Sequence, residues 1–225
     1  MKFNCWEGQV GCVLLVVMTQ LCTPLVQESF GQAQENKPTD EVGPRYFIYA
    51  EGPNDDYPFA SVMPDGQGVG QVTDCKENPH RGQFCYRGRY QIAKRPWVAV
   101  AAMLDGLFTP ERKFNMFNRL EAKPGDRIVV RFWARSSDRA RVQFKAGGGD
   151  GDSLEFAVAT DWIELDPSWK RYEIDVTDQD LSGLRFAFVW AMDRAHNDVP
   201  ARENRATATV YLDDIYFTRV QKNNK

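Results

Sequence analysis

The sequence lacks the features that mark several common classes of protein. Its 28 lysines and arginines are spread along 225 residues and are outnumbered by 31 acids, so no basic stripe is available to bind nucleic acid. It contains no Gly-x-Ser-x-Gly elbow, no His-Glu-x-x-His and no glycine-rich phosphate loop. The only two histidines, His80 and His196, belong to no recognisable motif. Nucleic acid is therefore excluded as a partner, and no familiar catalytic centre is indicated.

Long hydrophobic runs are also absent, except near the N-terminus. The segment Val10–Met18 is apolar, follows Lys2, and leads to small residues at Gly31 and Ala33. It is too short to cross ~30 Å of hydrocarbon comfortably. We predict a signal peptide over residues 1–33, cleaved near Ala33, with export to the medium, cell surface or periplasm and no membrane span in the mature chain. An uncleaved anchor is the alternative.

Cysteine is scarce, and its distribution agrees with export. Three of the five cysteines lie in the predicted signal peptide, which leaves Cys75 and Cys85 in the mature chain. An even pair in an oxidising compartment favours a disulfide, which would stabilise the fold by roughly 3 kcal/mol. Two buried thiols are the alternative.

The mature chain alternates apolar and polar residues with a period of two, which is typical of strands with one buried face. Turn-forming residues interrupt the alternation every ten residues or so, as in an all-β sandwich or barrel. About nine strands are predicted: Tyr46–Ala50, Phe84–Tyr86, Trp97–Ala101, Ile128–Phe132, Val142–Ala146, Phe156–Val158, Tyr172–Val176, Phe186–Trp190 and Val210–Phe217. One short helix fits within Pro110–Leu120.

We therefore predict an all-β fold, a two-sheet antiparallel β-sandwich of the jelly-roll type, over residues 45–220. Residues 34–44 are polar without an apolar period and are predicted to be a linker. Residues 221–225 form a polar tail.

Six segments between Tyr46 and Val220 carry a family resemblance. They are Ala50–Gly52, Gly82–Cys85, Arg131–Arg135, Pro167–Tyr172 with the following Ile174–Val176, Phe188–Ala191 and Val210–Phe217. In this order they resemble the jelly-roll carbohydrate-binding modules, galactose-binding-like β-sandwiches appended to glycoside hydrolases, especially those with a concave cleft for single β-glucan chains. The resemblance implies non-catalytic binding of a polysaccharide, with β-glucan-like chains among the candidates. It also implies that the module acts either alone or as the partner of a separate glycan-active enzyme.

The most specific of these segments contains two adjacent acids, Asp213 and Asp214. In a continuous strand they would face opposite sides, and an unpaired carboxylate in the core would cost several kcal/mol. The resemblance implies a structural calcium ion here, held by Glu51, by Asp213 or Asp214, and by backbone carbonyls. A bulge with an arginine partner such as Arg45 is the alternative.

Sugar recognition requires flat apolar faces for pyranose rings, surrounded by polar groups that bind hydroxyls. The resemblance makes Trp190 the first candidate, with Asp193 in the adjoining loop. Trp97 is the second, because small residues follow it on its strand and leave room above the sheet. Trp133 alternates with Arg131 and Arg135, so this set faces either the cleft or the solvent. Asp150 and Asp152, in the glycine-rich loop Gly147–Asp152, are further candidates for ligand binding. The alternative is that this loop is a plain hairpin turn.

Two other classes of function stay open. The same fold could bind a protein partner or mediate adhesion, since a fold does not fix a function. A jelly-roll polysaccharide lyase or glycoside hydrolase is a further possibility, for which Glu155 and Glu164 are the acids to consider. A groove lined by aromatic and polar side chains would favour sugar, and a flat apolar patch would favour protein.

Overall fold

The computed structural model describes residues 40–55, 58–63, 66–103, 115–148, 156–182, 184, 186–198 and 206–221. Within these ranges the chain forms twelve β-strands and two short helices. The strands are β1 (Glu41–Tyr49), β2 (Phe59–Met63), β3 (Val69–Cys75), β4 (Cys85–Gln91), β5 (Trp97–Met103), β6 (Arg127–Arg135), β7 (Arg141–Gly148), β8 (Phe156–Ala159), β9 (Ile163–Glu164), β10 (Lys170–Asp175), β11 (Phe186–Asp193) and β12 (Thr207–Val220). The helices are α1 (Met116–Arg119) and α2 (Arg194–Asn197).

The strands form two antiparallel sheets. Sheet 1 has the order β10-β6-β12-β4-β3, with β1 also paired to β12, and sheet 2 has the order β2-β5-β11-β7-β8, with β9 paired to β7. The predicted all-β, two-sheet sandwich is thus confirmed, and each predicted strand has a counterpart. Sequence reasoning missed β2, β3 and β9, because β3 carries few apolar residues and β9 has only two residues.

The core lies between the two sheets and is rich in aromatic rings. Phe132 of sheet 1 packs against Phe144 and Phe188 of sheet 2, with ring centroids 4.6 and 5.0 Å apart. All three side chains are fully buried. Burial of one such side chain stabilises a fold by about 1.5–3 kcal/mol, so this aromatic cluster is a main determinant of how the sheets pack.

The folded domain begins earlier than the sequence pattern suggested. Residues 41–44, assigned to the linker, form the start of β1, which pairs with the end of β12 from Glu41 opposite Val220. Asp40 and Glu41 also bind Arg131 on β6. Their polar character reflects these ion pairs rather than a linker. Residues 1–39, with the predicted signal peptide, and residues 222–225 of the predicted tail lie outside the described residues.

The predicted disulfide is wrong. Cys75 and Cys85 lie directly opposite each other on β3 and β4, yet both are buried free thiols. Burial, together with the neighbouring Cys75, raises the pKa of Cys85 to about 12. A thiol that stays protonated is a poor nucleophile, so this one is inert packing at neutral pH.

No helix among the described residues is long and apolar enough to cross a membrane.

Candidate functional site

The outer face of sheet 2 has a floor of small side chains. Residues directly opposite each other on antiparallel strands share a face. The register places Asp193 beside Trp97, and Ala191 between Ala99 and Gln143. The alanines leave open space above the three central strands, and bulkier side chains border that space.

A groove of about 700 Å³ occupies this space. It lies over β5, β11 and β7 and is bordered by helix α2. We call this surface the groove. Its lining includes Trp97, Gln143, Lys145, Trp162, Ala191 and Asp193.

Trp97 gives the groove an accessible aromatic surface. Among the large hydrophobic side chains in the described part of the chain, Trp97 is the one that is exposed, at 41%. An indole exposed beside small residues offers a flat apolar face that a ligand can cover. Its role in ligand binding stays a prediction.

Polar groups surround this aromatic surface. The Gln143 amide donates from Nε2 to the Thr160 carbonyl at 3.0 Å, which fixes its orientation. Burial lowers the pKa of Lys145, although an amine remains cationic at neutral pH unless the shift is very large. Asp193 accepts hydrogen bonds from the backbone N–H and from Nδ1 of His196, at 2.8 and 2.7 Å. The groove thus presents an amide, an amine and a carboxylate beside an indole.

Trp162 is a lining residue that the sequence analysis did not select as a candidate. It lies in the short connection between β8 and β9, and its indole stacks on His196 with centroids 4.1 Å apart and planes 15° apart. The contact joins segments that are far apart in sequence. No local sequence signal could have placed this residue in the groove.

Trp190, the first candidate for ligand binding, is in the wrong place for that role. Its side chain is fully buried between the sheets, and its Nε1 donates to the Tyr86 hydroxyl at 3.1 Å. Gly88 makes room for it, since a Cβ at that position would lie 2.3 Å from the Trp190 ring. An irregularity in register between Phe186 and Phe188 turns Phe188 and Trp190 inward. The groove face of β11 is left with Val189, Ala191 and Asp193.

Two further candidates belong to the opposite sheet. Trp133 and Arg131 lie on the outer face of sheet 1, so neither can line the groove with Trp97. Trp133 is stacked by the His80 ring, with centroids 3.8 Å apart.

Arg131 is only 3% exposed and binds Asp40, Glu41 and Glu173, each at 2.8 Å. It is therefore a structural ion-pair centre and not a ligand contact. Asp150 and Asp152 lie outside the described residues.

The connection between β3 and β4, residues 76–84, folds over the outer face of sheet 1; we call it the strap. Its Asn78 carbonyl accepts a hydrogen bond from Trp169 Nε1 at 2.9 Å. The backbone N–H groups of His80 and Arg81 both donate to Asp213 Oδ2, at 2.9 and 3.1 Å. The strap explains how β12 tolerates a buried acid in this position.

The acid pair itself forms a bulge in β12. The register shifts between Asp213 and Tyr216, and Asp214 adopts a left-handed φ of 46°. The expected arginine partner, Arg45, instead pairs with Glu41. The Nδ1 atom of His80 lies 3.2 Å from Asp214 Oδ2. The bulge is therefore present; its partners are His80, the strap amides and an arginine, Arg81, whose Nε lies 3.9 Å from Asp214 Oδ2.

Glu51, Asp213 and Asp214 do not fit a calcium shell as they are arranged. Gln83 N–H donates to Glu51 Oε2 at 2.9 Å, and Asp214 N–H donates to Asp213 Oδ1 at 2.8 Å. Calcium requires oxygen ligands, whereas N–H donors face these carboxylates. Among the described residues no group of three or more acidic, histidine or cysteine side chains could hold a metal ion. The calcium ion stays a prediction drawn from the resemblance.

Comparison with known proteins gives matches only among solved structures. No family model matches the sequence, and a search of curated proteins gives no match. A family 11 carbohydrate-binding module of a cellulosomal cellulase of Clostridium thermocellum is 11% identical with a TM-score of 0.48, over 82% of this chain and 99% of that chain. A CBM22-1 xylan-binding domain from Paenibacillus barcinonensis is 10% identical with a TM-score of 0.47, over 81% and 98%.

A family 30 carbohydrate-binding module is 14% identical with a TM-score of 0.47, over 78% of this chain and 99% of that chain. All three are carbohydrate-binding modules. These likenesses, at 10–14% identity and TM-scores of 0.47–0.48, are to the fold and assign no role to this chain.

Asp213 makes stability depend on pH in a way that one variant can isolate. Burial, with a contribution from Asp214, raises the pKa of Asp213 from 3.8 to about 6. A carboxyl with a raised folded pKa stabilises the fold fully below its unfolded pKa, and this contribution is lost as the pH rises through the folded value. Between pH 4 and 7, we expect the free energy of unfolding of the wild type to fall by about 2–3 kcal/mol more than that of Asp213→Asn.

Urea denaturation of both proteins at half-unit steps of pH measures this difference. Parallel pH profiles would show that Asp213 ionises in the fold as easily as in the unfolded chain.

Proposed function

We propose that this protein binds a polysaccharide in the groove and does not act on it chemically. The observation that supports this most is an exposed indole, Trp97, beside a floor of alanines, with an amide, an amine and a carboxylate within the same groove. A pyranose ring presents axial C–H bonds to an aromatic face and hydroxyls to its surroundings. The groove offers both kinds of contact.

The shape of the surface supports sugar over a protein partner. A protein-binding surface of this fold would be a flat apolar patch of several hundred Å², whereas this surface is concave and bordered by charged side chains. Of the acids considered for catalysis, Glu164 lies 3.7 Å from Arg139 and 3.5 Å from Arg141, away from the groove lining. Glu155 lies outside the described residues.

We propose export through the N-terminal signal, and a separate glycan-active enzyme that this module keeps close to its substrate. Neutral β-linked chains, including β-glucan-like ones, suit a groove whose charged groups include both signs. This part of the proposal depends on the groove being the binding surface.

Native affinity electrophoresis tests the proposal. The full-length protein is run through gels that contain mixed-linkage β-glucan, glucomannan or xylan, with calcium and with chelator. We expect retardation on at least one polysaccharide. Trp97→Ala is expected to remove it, because loss of about 2 kcal/mol at a hot spot weakens binding roughly 30-fold.

Trp169→Ala, which removes an indole on the other side of the sandwich, is the matched control and should migrate like the wild type. Retardation on none of the gels would contradict polysaccharide binding. Equal loss in both tryptophan variants would contradict the groove as its place. Retardation that requires calcium would support the calcium prediction.

A further inference from the structure

We infer that His196 is a positioning residue for ligand binding, which holds Trp162 as the second aromatic wall of the groove. The inference rests on the proposed function, and it assigns a role to a side chain that is absent from the groove lining. Its basis is the chain of contacts from Asp193 to His196 to Trp162.

The first contact fixes the imidazole. Nδ1 of His196 lies 2.7 Å from Asp193 Oδ1 and 2.9 Å from Oδ2. Because a carboxylate only accepts hydrogen bonds, Nδ1 carries the proton and donates. The ring plane of His196 is therefore set by the carboxylate that caps helix α2.

The second contact transfers this orientation to Trp162. The two rings are nearly parallel, at 15°, with centroids 4.1 Å apart. This is the one ring contact that Trp162 makes with the described residues. Both the indole and Asp193 line the groove, so His196 connects two side chains of the lining from behind it.

Helix α2 does not depend on His196 for its own position. Asn197 is fully buried and donates from Nδ2 to the Arg141 carbonyl at 2.9 Å, while its Oδ1 accepts from Arg141 N–H at 2.9 Å. Arg194 N–H donates to the Pro96 carbonyl at 2.8 Å, and its guanidinium donates to the Ile92 carbonyl at 3.0 Å. The helix is thus anchored on both sides by its neighbours, and the His196 ring remains available to act on the groove.

The backbone next to Trp162 is fixed as well. Thr160 N–H donates to the Phe144 carbonyl at 2.8 Å, and Thr160 Oγ1 accepts from Phe144 N–H at 3.0 Å. What the backbone leaves undetermined is the rotamer of the indole. A ligand that binds an unrestrained indole has to order it, and an ordered side chain avoids that cost.

A double-mutant cycle on ligand affinity tests the inference. The probe is whichever of mixed-linkage β-glucan, glucomannan or xylan retards the wild type, and affinities come from migration against polysaccharide concentration. We expect His196→Ala to weaken binding about fivefold, within the range for immobilising one side chain. In a Trp162→Ala background the same substitution should weaken binding less than about twofold. His196→Phe keeps a ring to stack on but loses the hydrogen bond to Asp193, so it should recover only part of the affinity.

A merely structural role for His196 would lower the melting temperature and act additively with Trp162→Ala. Additive losses, or wild-type affinity in His196→Ala while Trp97→Ala abolishes binding, would overturn the inference and leave the proposed function standing. Absence of binding by the wild type would instead refute the proposed function, and the inference with it.

Discussion

Replacing Trp190 with alanine is expected to lower the free energy of unfolding by about 3–5 kcal/mol, the usual cost of a large-to-small change at a buried aromatic. The Trp190 ring fills the space over Gly88 and is fully excluded from solvent. Its removal leaves a cavity and also takes away the donor to the Tyr86 hydroxyl. Chemical denaturation measures the loss directly.

Trp97→Ala is the matched control, because it removes the same side chain from an exposed position. We expect its free energy of unfolding to change by less than about 1 kcal/mol. Together the two variants separate a tryptophan of the core from a tryptophan of the groove. If Trp190→Ala kept the stability of the wild type, the inward position of Trp190 would be refuted.

Replacing Arg131 with methionine is expected to cost about 3 kcal/mol, because three half-buried carboxylates lose the cation they share. The guanidinium is nearly excluded from solvent and binds carboxylates of Asp40, Glu41 and Glu173. It thereby joins the first strand of the chain to the middle of sheet 1. Arg45→Met removes a more exposed partner of Glu41 and should cost no more than about 1 kcal/mol. Equal costs for the two variants would contradict the central role of Arg131.

The same ion pairs predict a loss of stability in acid. Burial alone would raise the pKa of Glu41, but hydrogen bonds from Arg131, Tyr216 and Arg45 outweigh it and hold that pKa below its ordinary value of 4.5. A carboxyl with a lowered folded pKa stabilises the fold above its unfolded pKa, and this contribution is lost as the pH falls through the folded value. We therefore expect a smaller loss of stability below pH 4.5 in Arg131→Met than in the wild type.

Sequence periodicity was sufficient for the fold but not for the orientation of every strand. Alternation shows which residues share a face, and it does not show which face meets the core. On β11, Phe188 and Trp190 alternate with Val189 and Ala191, and both sets are apolar. Packing against the partner strands decides between the two sets. The set with the larger side chains, Phe188 and Trp190, faces the core.

Arg131 illustrates a second limit. A charged residue within an apolar strand is ordinarily a sign of an exposed face, and it was interpreted in that way. Its burial depends on Asp40 and Glu41, about 90 positions earlier in the chain, in a segment whose polar composition resembled a linker. Contacts of this range leave no local signal.

Trp97 could be selected because its evidence was local. It begins a strand whose following residues are small, and that spacing alone predicts an open surface beside an indole. Trp162 and His196 became visible as groove residues only when α2 and the β8–β9 connection were placed side by side. The sequence therefore located one wall of the groove, and the structure supplied the other.

The most direct test of the account is an NMR titration of the tryptophan indole Nε1–H signals with an oligosaccharide of the polysaccharide that the protein retains, each signal being assigned from its single variant. If the ligand binds in the groove, the signals of Trp97 and Trp162 shift, and those of Trp133 and Trp169, across the sandwich, and of Trp190, in the core, do not. Shifts at Trp133 and Trp169 with an unchanged Trp97 signal would contradict the groove as the binding surface.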